Sequence, residues 1–433
     1  MTRDSHRPLT RRWLAATGLA VVTAVALAGC VSTGSTATSA VTKDAPGALV
    51  LQSRFTGAEK SGLEAVIKAF DKKGEGKVQL NSLPTTTFDT QLPSYLTSKN
   101  PPDVYTWYAG QATRDFADQG LLLDVSDVWK KSLTNYSAAL KTLSSTKSGE
   151  QVFVPSDYYW WGIYYSKKEF KTLGITPPKT WGDFLADSAK IKAAGVTPIT
   201  MGLSDNSWLS AAWFDYLDLR INGAKYHLDL LNGKHSFDSA PVRKVFAALK
   251  QVLPYLSPSV LGTSYNQSVS DLSTGKSAMY LNGAFLETAV PKAERSDLGF
   301  FRFPIVDSSV PAAEEAPTDG FMVSAKTKRP ALAKRFLEFA ASAQGQSLLL
   351  NGEDGISLAV NPKATQTMDA LSTQGKNMLQ DASEVTQFFN RDAGDAQQTP
   401  ADTALTQFIA QPDDLDSILS AWQASAVKLR SGS

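Results

Sequence analysis

The chain has one cysteine, Cys30, and only three histidines, His6, His227 and His235, in 433 residues. A lone cysteine cannot form an intramolecular disulfide, so the fold does without one and Cys30 needs another explanation. So few cysteines and histidines exclude a zinc site of the usual kind from the body of the chain. Net charge is missing too: 43 Lys plus Arg against 42 Asp plus Glu leave +1. No long-range field draws nucleic acid or an anionic lipid surface, so neither is expected as a partner on electrostatic grounds. The common catalytic signatures are also lacking. There is no Gly-x-Ser-x-Gly elbow, no His-Glu-x-x-His and no phosphate-loop lysine motif. No cofactor is implied, and nothing repeats at solenoid periods.

What is present is apolar and aromatic bulk. The composition is 42% hydrophobic and 10% aromatic, with nine Trp and thirteen Tyr. That suffices for two globular domains in the roughly 400 residues that follow a leader. The leader has Arg11 and Arg12, an apolar run from Trp13 to Ala28, and Leu27-Ala28-Gly29-Cys30 at its end. A charged start, a short apolar stretch and small residues read as an export signal. The run is too short for a stable span of about 20 residues. Leu-Ala-Gly-Cys resembles the bacterial lipobox, whose cysteine is lipidated and becomes the mature N-terminus. Residues 1–29 are therefore read as a lipoprotein signal peptide and Cys30 as the lipidation site, placing the protein outside the cytoplasm, lipid-anchored to the cell membrane. An ordinary secretory signal with a chance cysteine is the alternative. Thr10-Arg11-Arg12-Trp13-Leu14 also resembles a twin-arginine signal, which leaves the export route open. Residues 30–47, rich in Ser, Thr, Ala and Gly, are expected to be a flexible tether reaching roughly a few tens of ångströms.

Folded structure is expected from Ala48. Ala48 to Leu51 reads as a buried strand. Leu63, Val66, Ile67 and Phe70 follow at i, i+3, i+4, i+7, the stripe of an amphipathic helix. A strand at 77–81, a helix through Phe88, Leu92 and Leu96, and a strand at 103–107 complete β-α-β-α-β, the pattern of a layered α/β domain with a largely parallel sheet. Similar signals recur. Strands are expected at 151–155, 162–165, 196–203 and 277–282. Thr180 and Asp183 form a capping box opening a helix through Ile191. Further helices carry Val242 to Leu249, Leu332 to Ala340 and Leu415 to Leu429. His227 and His235 lie in a polar stretch and are expected in loops.

Four segments carry a resemblance. They are Pro101-Pro102-Asp103-Val104 running to Asp118–Asp124; Val154-Pro155-Ser156-Asp157 through Trp160-Trp161-Gly162 to Pro198; Gly275-Lys276-Ser277 to Phe285; and Asp319-Gly320-Phe321-Met322-Val323. In this order they resemble the extracellular solute-binding proteins of bacterial carbohydrate ABC importers, the family that includes maltose-binding protein. The resemblance implies an α/β fold of two lobes (the type II periplasmic-binding-protein-like fold), three hinge crossings and a ligand cleft between the lobes. By analogy the crossings lie near 157–162, near 318–320 and beyond Gln344. Lobe 1 is then residues 48–156 plus 319–350, and lobe 2 is 157–318 plus 351–433. It further implies a monomer that is no enzyme. It captures a sugar, a di- or oligosaccharide by its aromatic abundance, and delivers it to membrane permease subunits served by a cytoplasmic ATPase.

A sugar presents hydroxyls at its rim and C–H faces above and below, so its site needs flat aromatics and fixed polar groups. Asp157 is expected as a hydroxyl acceptor. Among Tyr158, Tyr159, Trp160 and Trp161, at least one is expected to face the cleft, since consecutive side chains cannot all enter one core. Tyr158, Tyr159 and Trp160 are the candidates. Trp107 and Tyr108 end a strand, one as core and the other toward the cleft, where open α/β sheets bind ligands. Phe285 stands where relatives commonly carry Trp, with Asn282 nearby. Trp208 and Asn206 follow another strand. Arg54 and Glu59 flank the first strand's exit, either touching ligand or merely solvated, and Arg391 is a candidate cap from the C-terminal region. The competing class is a secreted carbohydrate-active enzyme such as a glycosidase, which needs two facing carboxylates about 5–9.5 Å apart. A cell-surface adhesin would need neither the two α/β lobes nor aromatics at strand ends.

Overall fold

The computed structural model describes residues 44–352 and 357–431. The leader, Cys30 and the tether as far as residue 43 lie outside them. The described residues form twelve strands: β1 Leu49–Ser53, β2 Val78–Ser82, β3 Val104–Tyr108, β4 Val154–Tyr158, β5 Trp161–Ser166, β6 Thr197–Ile199, β7 Ser277–Gly283, β8 Leu298–Phe301, β9 Glu314–Glu315, β10 Thr318–Val323, β11 Leu358–Ala359 and β12 Val385–Thr386.

They make two main sheets, one per lobe. The first has six strands in the order β11-β4-β10-β3-β1-β2, and the second has four in the order β6-β7-β5-β8. In the first, β1 lies parallel to β2 and β3, while β10 runs antiparallel between β3 and β4. Side chains alternate across it as the pleat requires. Val104, Phe321 and Val323 enter the core that holds the Leu63–Val66–Phe70 stripe. Tyr105, Trp107 and Met322 enter the core on the other side with Phe88 and Leu92. The second sheet is wrapped by helices around one larger core. A parallel ribbon of β9 and β12 stands apart.

The stripe helix spans Gly57–Lys72. Helix Trp181–Ala193 starts at the expected cap, where Thr180 Oγ1 accepts the Asp183 N–H at 3.2 Å. The strand expected at 196–203 is shorter, because Thr197–Ile199 alone pair with β7. Three further expectations change. Residues 44–47 are not free tether: the Asp44 carboxylate accepts the N–H groups of Ala331 and Leu332 at 3.0 and 2.9 Å, capping helix Pro330–Ala340. Leu358–Ala359, assigned from sequence to the second lobe, pairs with β4 in the first sheet. His227 is no loop residue; it is fully buried in helix Ala224–Leu231, with Nδ1 2.9 Å from Asp218 Oδ2.

The chain passes between the sheets at Tyr159–Trp160, which join β4 to β5, and at Ala316–Pro317, which join β9 to β10. After β11 it returns to the second lobe, where Gln374 of helix Ala370–Gln380 donates to the Phe300 carbonyl at 2.8 Å.

Candidate functional site

At the carboxyl ends of β3 and β4, Asp319 of β10 lies directly opposite Tyr108 on one side and Asp157 on the other. Opposed residues share a face of the sheet, so these three form a row, and like charges so placed repel. Both carboxylates are nearly buried, at 3% exposure for Asp157 and 4% for Asp319. Cations from distant segments offset the repulsion. Arg391 Nη1 lies 3.0 Å from Asp319 Oδ1, and Arg54 Nη1 lies 3.5 Å from the same atom. Each guanidinium carbon is also 4.2 Å from the Tyr108 ring centroid, within cation–π range. Arg54 leaves the end of β1, and its N–H donates to Thr106 Oγ1 at 3.0 Å. Arg391 comes from the short helix Phe389–Ala393. It donates from Nη1 to the Thr318 carbonyl and from Nη2 to the Tyr159 hydroxyl, both at 2.9 Å.

Asp157 and two more carboxyl groups, Glu59 and Asp89, feel this field. Glu59, half-buried in the first turn of helix Gly57–Lys72, is pushed up to about 7 by burial; Arg54 opposes the rise, while Asp319 and Asp157 add to it. Burial, then Asp319, raises Asp157 to about 6, although the Ser156 hydroxyl donates to it. Asp89 rises to about 6, chiefly by burial, and accepts the Tyr108 hydroxyl at 3.4 Å. Burial opposes the Arg391 charge, but Asp319, Tyr159 and Tyr108 together outweigh it and hold the guanidinium above its ordinary range. Arg54 Nε meets no acceptor among the described residues. The end of the first sheet, with Arg391 reaching in from the second lobe, therefore presents fixed acceptors and guanidinium donors side by side, suited to bonding hydroxyl groups.

The second lobe contributes a wall of rings. Tyr159 meets Phe285 edge-on at 5.9 Å, and Phe285 lies 6.1 Å from Trp208. All three are half-buried. Behind them Trp161 stacks on Phe388 at 5.0 Å, and Trp208 meets both edge-on. The Trp208 indole N–H donates to Asn206 Oδ1 at 3.0 Å, which fixes its plane. Tyr159 touches both groups: its hydroxyl accepts from Arg391 and its ring meets Phe285.

The structure thus brings together Arg54, Glu59, Tyr108, Asp157, Tyr159, Trp208, Asn206, Phe285 and Arg391. It does not bring Trp160, Trp107 or Asn282 to this surface. Trp160 is fully buried, stacked on Phe300 at 5.9 Å and so close to helix Ala370–Gln380 that a Cβ on Gly375 would lie 2.2 Å from its Cδ2. Trp107 is buried behind Tyr108, with the ring centroids 4.5 Å apart; it packs on Phe88 and Phe116 and donates to the Ala112 carbonyl at 3.2 Å. Asn282 is fully buried within β7, its Oδ1 accepting the Gly283 N–H at 2.9 Å. Tyr158 ends β4 half-buried and packs against the cores of both lobes. Residues that sequence reasoning missed are Asp319, Asp89, Trp161 and Phe388. Trp161 and Phe388 stood in aromatic runs already visible, and strand parity separates Trp161 from Trp160 once β5 is placed.

Comparison with known proteins matches residues 56–347 to the family model described as bacterial extracellular solute-binding protein. The chain is 26% identical over 340 residues to an ABC transporter extracellular-binding protein of Pyrococcus horikoshii, covering 76% of each chain. It is 24% identical over 298 residues to the multiple sugar-binding protein of Streptococcus mutans, covering 65% of this chain and 68% of the other. Among solved structures, the bacterial solute receptor AcbH, described as having an exclusive preference for β-D-galactopyranose, superposes with a TM-score of 0.84 at 25% identity. That match covers 88% of this chain and 98% of AcbH.

Proposed function

This chain belongs to the bacterial extracellular solute-binding protein family, and from that premise we propose that it is the sugar receptor of an ABC importer, binding a carbohydrate between its lobes. One observation carries the reading. Tyr159, at the crossing from β4 to β5, joins the Phe285–Trp208 wall of the second lobe to Arg391, which in turn holds the buried Asp319 of the first sheet. Hydroxyls are bonded by Asp157, Asp319, Arg54 and Arg391, and a sugar face lies against Trp208 or Phe285. Because only the closed form makes contacts from both sides, ligand shifts the lobes toward closure by no more than its differential affinity for that form. The relatives' names, which describe an ABC transporter component, a multiple sugar-binding protein and a galactose receptor, support the same class. The closed receptor, a monomer held to the membrane through lipid on Cys30, then passes the sugar to permease subunits driven by a cytoplasmic ATPase. It does so without catalysis of its own.

Isothermal titration with D-galactose, maltose, raffinose and N,N′-diacetylchitobiose tests this, with product analysis on each mixture. The expected result is saturable binding of at least one sugar without turnover. Hydrolysis at an enzyme's rate would instead assign the chain to the carbohydrate-active enzymes.

A further inference from the structure

The ribbon β9–β12 leads directly into the segment that carries Arg391. The Ala316 N–H donates to the Thr386 carbonyl at 2.8 Å, and Gln387 Oε1 accepts the Thr318 N–H at 2.8 Å. Beside the ribbon lie five charged side chains with 0% exposure: Asp215, Asp218, His227, Glu314 and Glu315. Most have partners. Glu314 Oε1 is 2.5 Å from Arg220 and 3.2 Å from Arg302. His227 Nδ1 holds Asp218, and its Nε2 is 3.8 Å from Asp215 Oδ1. Asp215 Oδ2 accepts the Phe389 N–H at 2.9 Å, and Asp392 Oδ2 accepts the Gln387 N–H at 2.8 Å.

Glu315 is the exception. Neither of its carboxyl oxygens meets an N–H or O–H donor among the described residues, nor does Asp215 Oδ1. The two carboxyl groups face each other within hydrogen-bond reach. Two buried carboxylates so placed cannot both ionise, but one shared proton turns their repulsion into a short, charge-assisted bond.

We propose that Glu315 keeps its proton and donates it to Asp215, and that this bond is the positioning device that holds the Phe388–Arg391 segment at the cleft. Asp215 is the junction, its carboxyl group hydrogen-bonded to that of Glu315 of β9 while its Oδ2 accepts the N–H of Phe389, two residues before Arg391. The surroundings favour the proton. Helix Ser210–Ile221 supplies Asp215, Asp218, Tyr216 and Arg220; helix Ala224–Leu231 supplies His227; helix Phe389–Ala393 supplies Asp392. Glu314 is the neighbour on its own strand. The cations are engaged elsewhere, Arg220 with Glu314 and His227 with Asp218. Burial, followed by Asp215, Asp392 and Glu314, accordingly holds the Glu315 carboxyl well above its ordinary range.

The test compares the full chain with Glu315→Gln, which is neutral and keeps a donor, and with Glu315→Met, which keeps the bulk alone. A folded-state proton affinity above the unfolded one gives stability that is complete at low pH and lost as pH rises. The melting temperature of the wild type must therefore fall relative to Glu315→Gln between about pH 5 and 8; a difference constant with pH overturns the proposal. In hydrogen exchange of the ligand-free protein at pH 6, residues 385–393 should exchange as in wild type for Gln and about tenfold faster for Met. Residues 277–283 should be unchanged in both. Equal loosening by Gln and Met contradicts the positioning role, and if Met does not fold, the melting series decides. Only the effect on affinity rests on the sugar reading: the tightest sugar of the titration panel should bind Gln as it binds wild type. If no sugar binds wild type while the exchange pattern holds, the cleft reading fails and the carboxyl bond stands.

Discussion

Asp319 stands directly opposite Asp157 across the antiparallel β10–β4 pair, with Arg391 3.0 Å from Asp319. Two carboxylates in register at the end of a sheet oppose folding unless a cation holds them, and the cation here also grips Tyr159. The cleft's hydrogen-bonding groups and the stability of the fold are thus linked through one guanidinium.

Arg391→Met removes that cation and leaves Asp319 with Arg54 at 3.5 Å. Breaking one side of a buried pair costs about 3 kcal/mol, so urea unfolding should show a loss of that size. Arg391→Lys should recover only part of it. An ammonium cannot serve the carboxylate, the Thr318 carbonyl and the Tyr159 hydroxyl in the fixed fork of a guanidinium.

The two tryptophans Trp160 and Trp208 separate stability from binding. Trp160→Ala empties a fully buried site against Phe300 and should cost about 3–5 kcal/mol of unfolding free energy, with sugar affinity of the folded fraction retained. Trp208→Ala should leave the melting temperature near wild type and weaken sugar binding by about 1–3 kcal/mol, by analogy with aromatic platforms for bases. Calorimetric melting and titration on both variants distinguish the roles, and an affinity loss in Trp160→Ala alone would reverse them.

Gly375→Ala tests the packing that buries Trp160. The added Cβ would lie 2.2 Å from the indole, and overpacking of this kind costs about 1–3 kcal/mol. An unchanged urea midpoint would show that the helix does not press on Trp160.

The cleft also sets a pH dependence. Glu59 titrates near 7 in the fold because burial raises it from 4.5. A raised carboxyl contributes stability that is complete below the unfolded value and disappears as pH climbs to the folded one. The melting temperature of the wild type should therefore fall relative to Glu59→Gln between pH 4.5 and about 7 and run parallel above it. A gap that widens in the other direction would mean that Glu59 is ionised throughout.

Local elements were legible where one chemical rule dominated. The Leu63–Phe70 stripe and the Thr180 cap needed no tertiary information. The site was legible in part, for a physical reason. That one residue of the Tyr158–Trp161 run must leave the core follows from alternation, but which one depends on where β4 ends and β5 begins. Sequence offered Tyr158, Tyr159 and Trp160 alike, and the structure puts Tyr159 on Arg391 and buries Trp160. Asp319 was passed over because its significance comes from being paired across strands with Asp157, which no local pattern encodes. Arg391 and Tyr159 are 232 residues apart, so their contact has no local signature and could be suggested only by resemblance. His227 read as a loop residue because its neighbours are polar, whereas the fold buries it with its Nδ1 on Asp218.

A crystal structure of the protein with the tightest-binding sugar of the panel tests the cleft most directly. A pyranose ring should lie against Trp208 or Phe285, with at least one hydroxyl bonded to Asp157, Asp319, Arg54 or Arg391. A sugar seated away from both groups, or bound without touching the second lobe, would contradict the cleft reading.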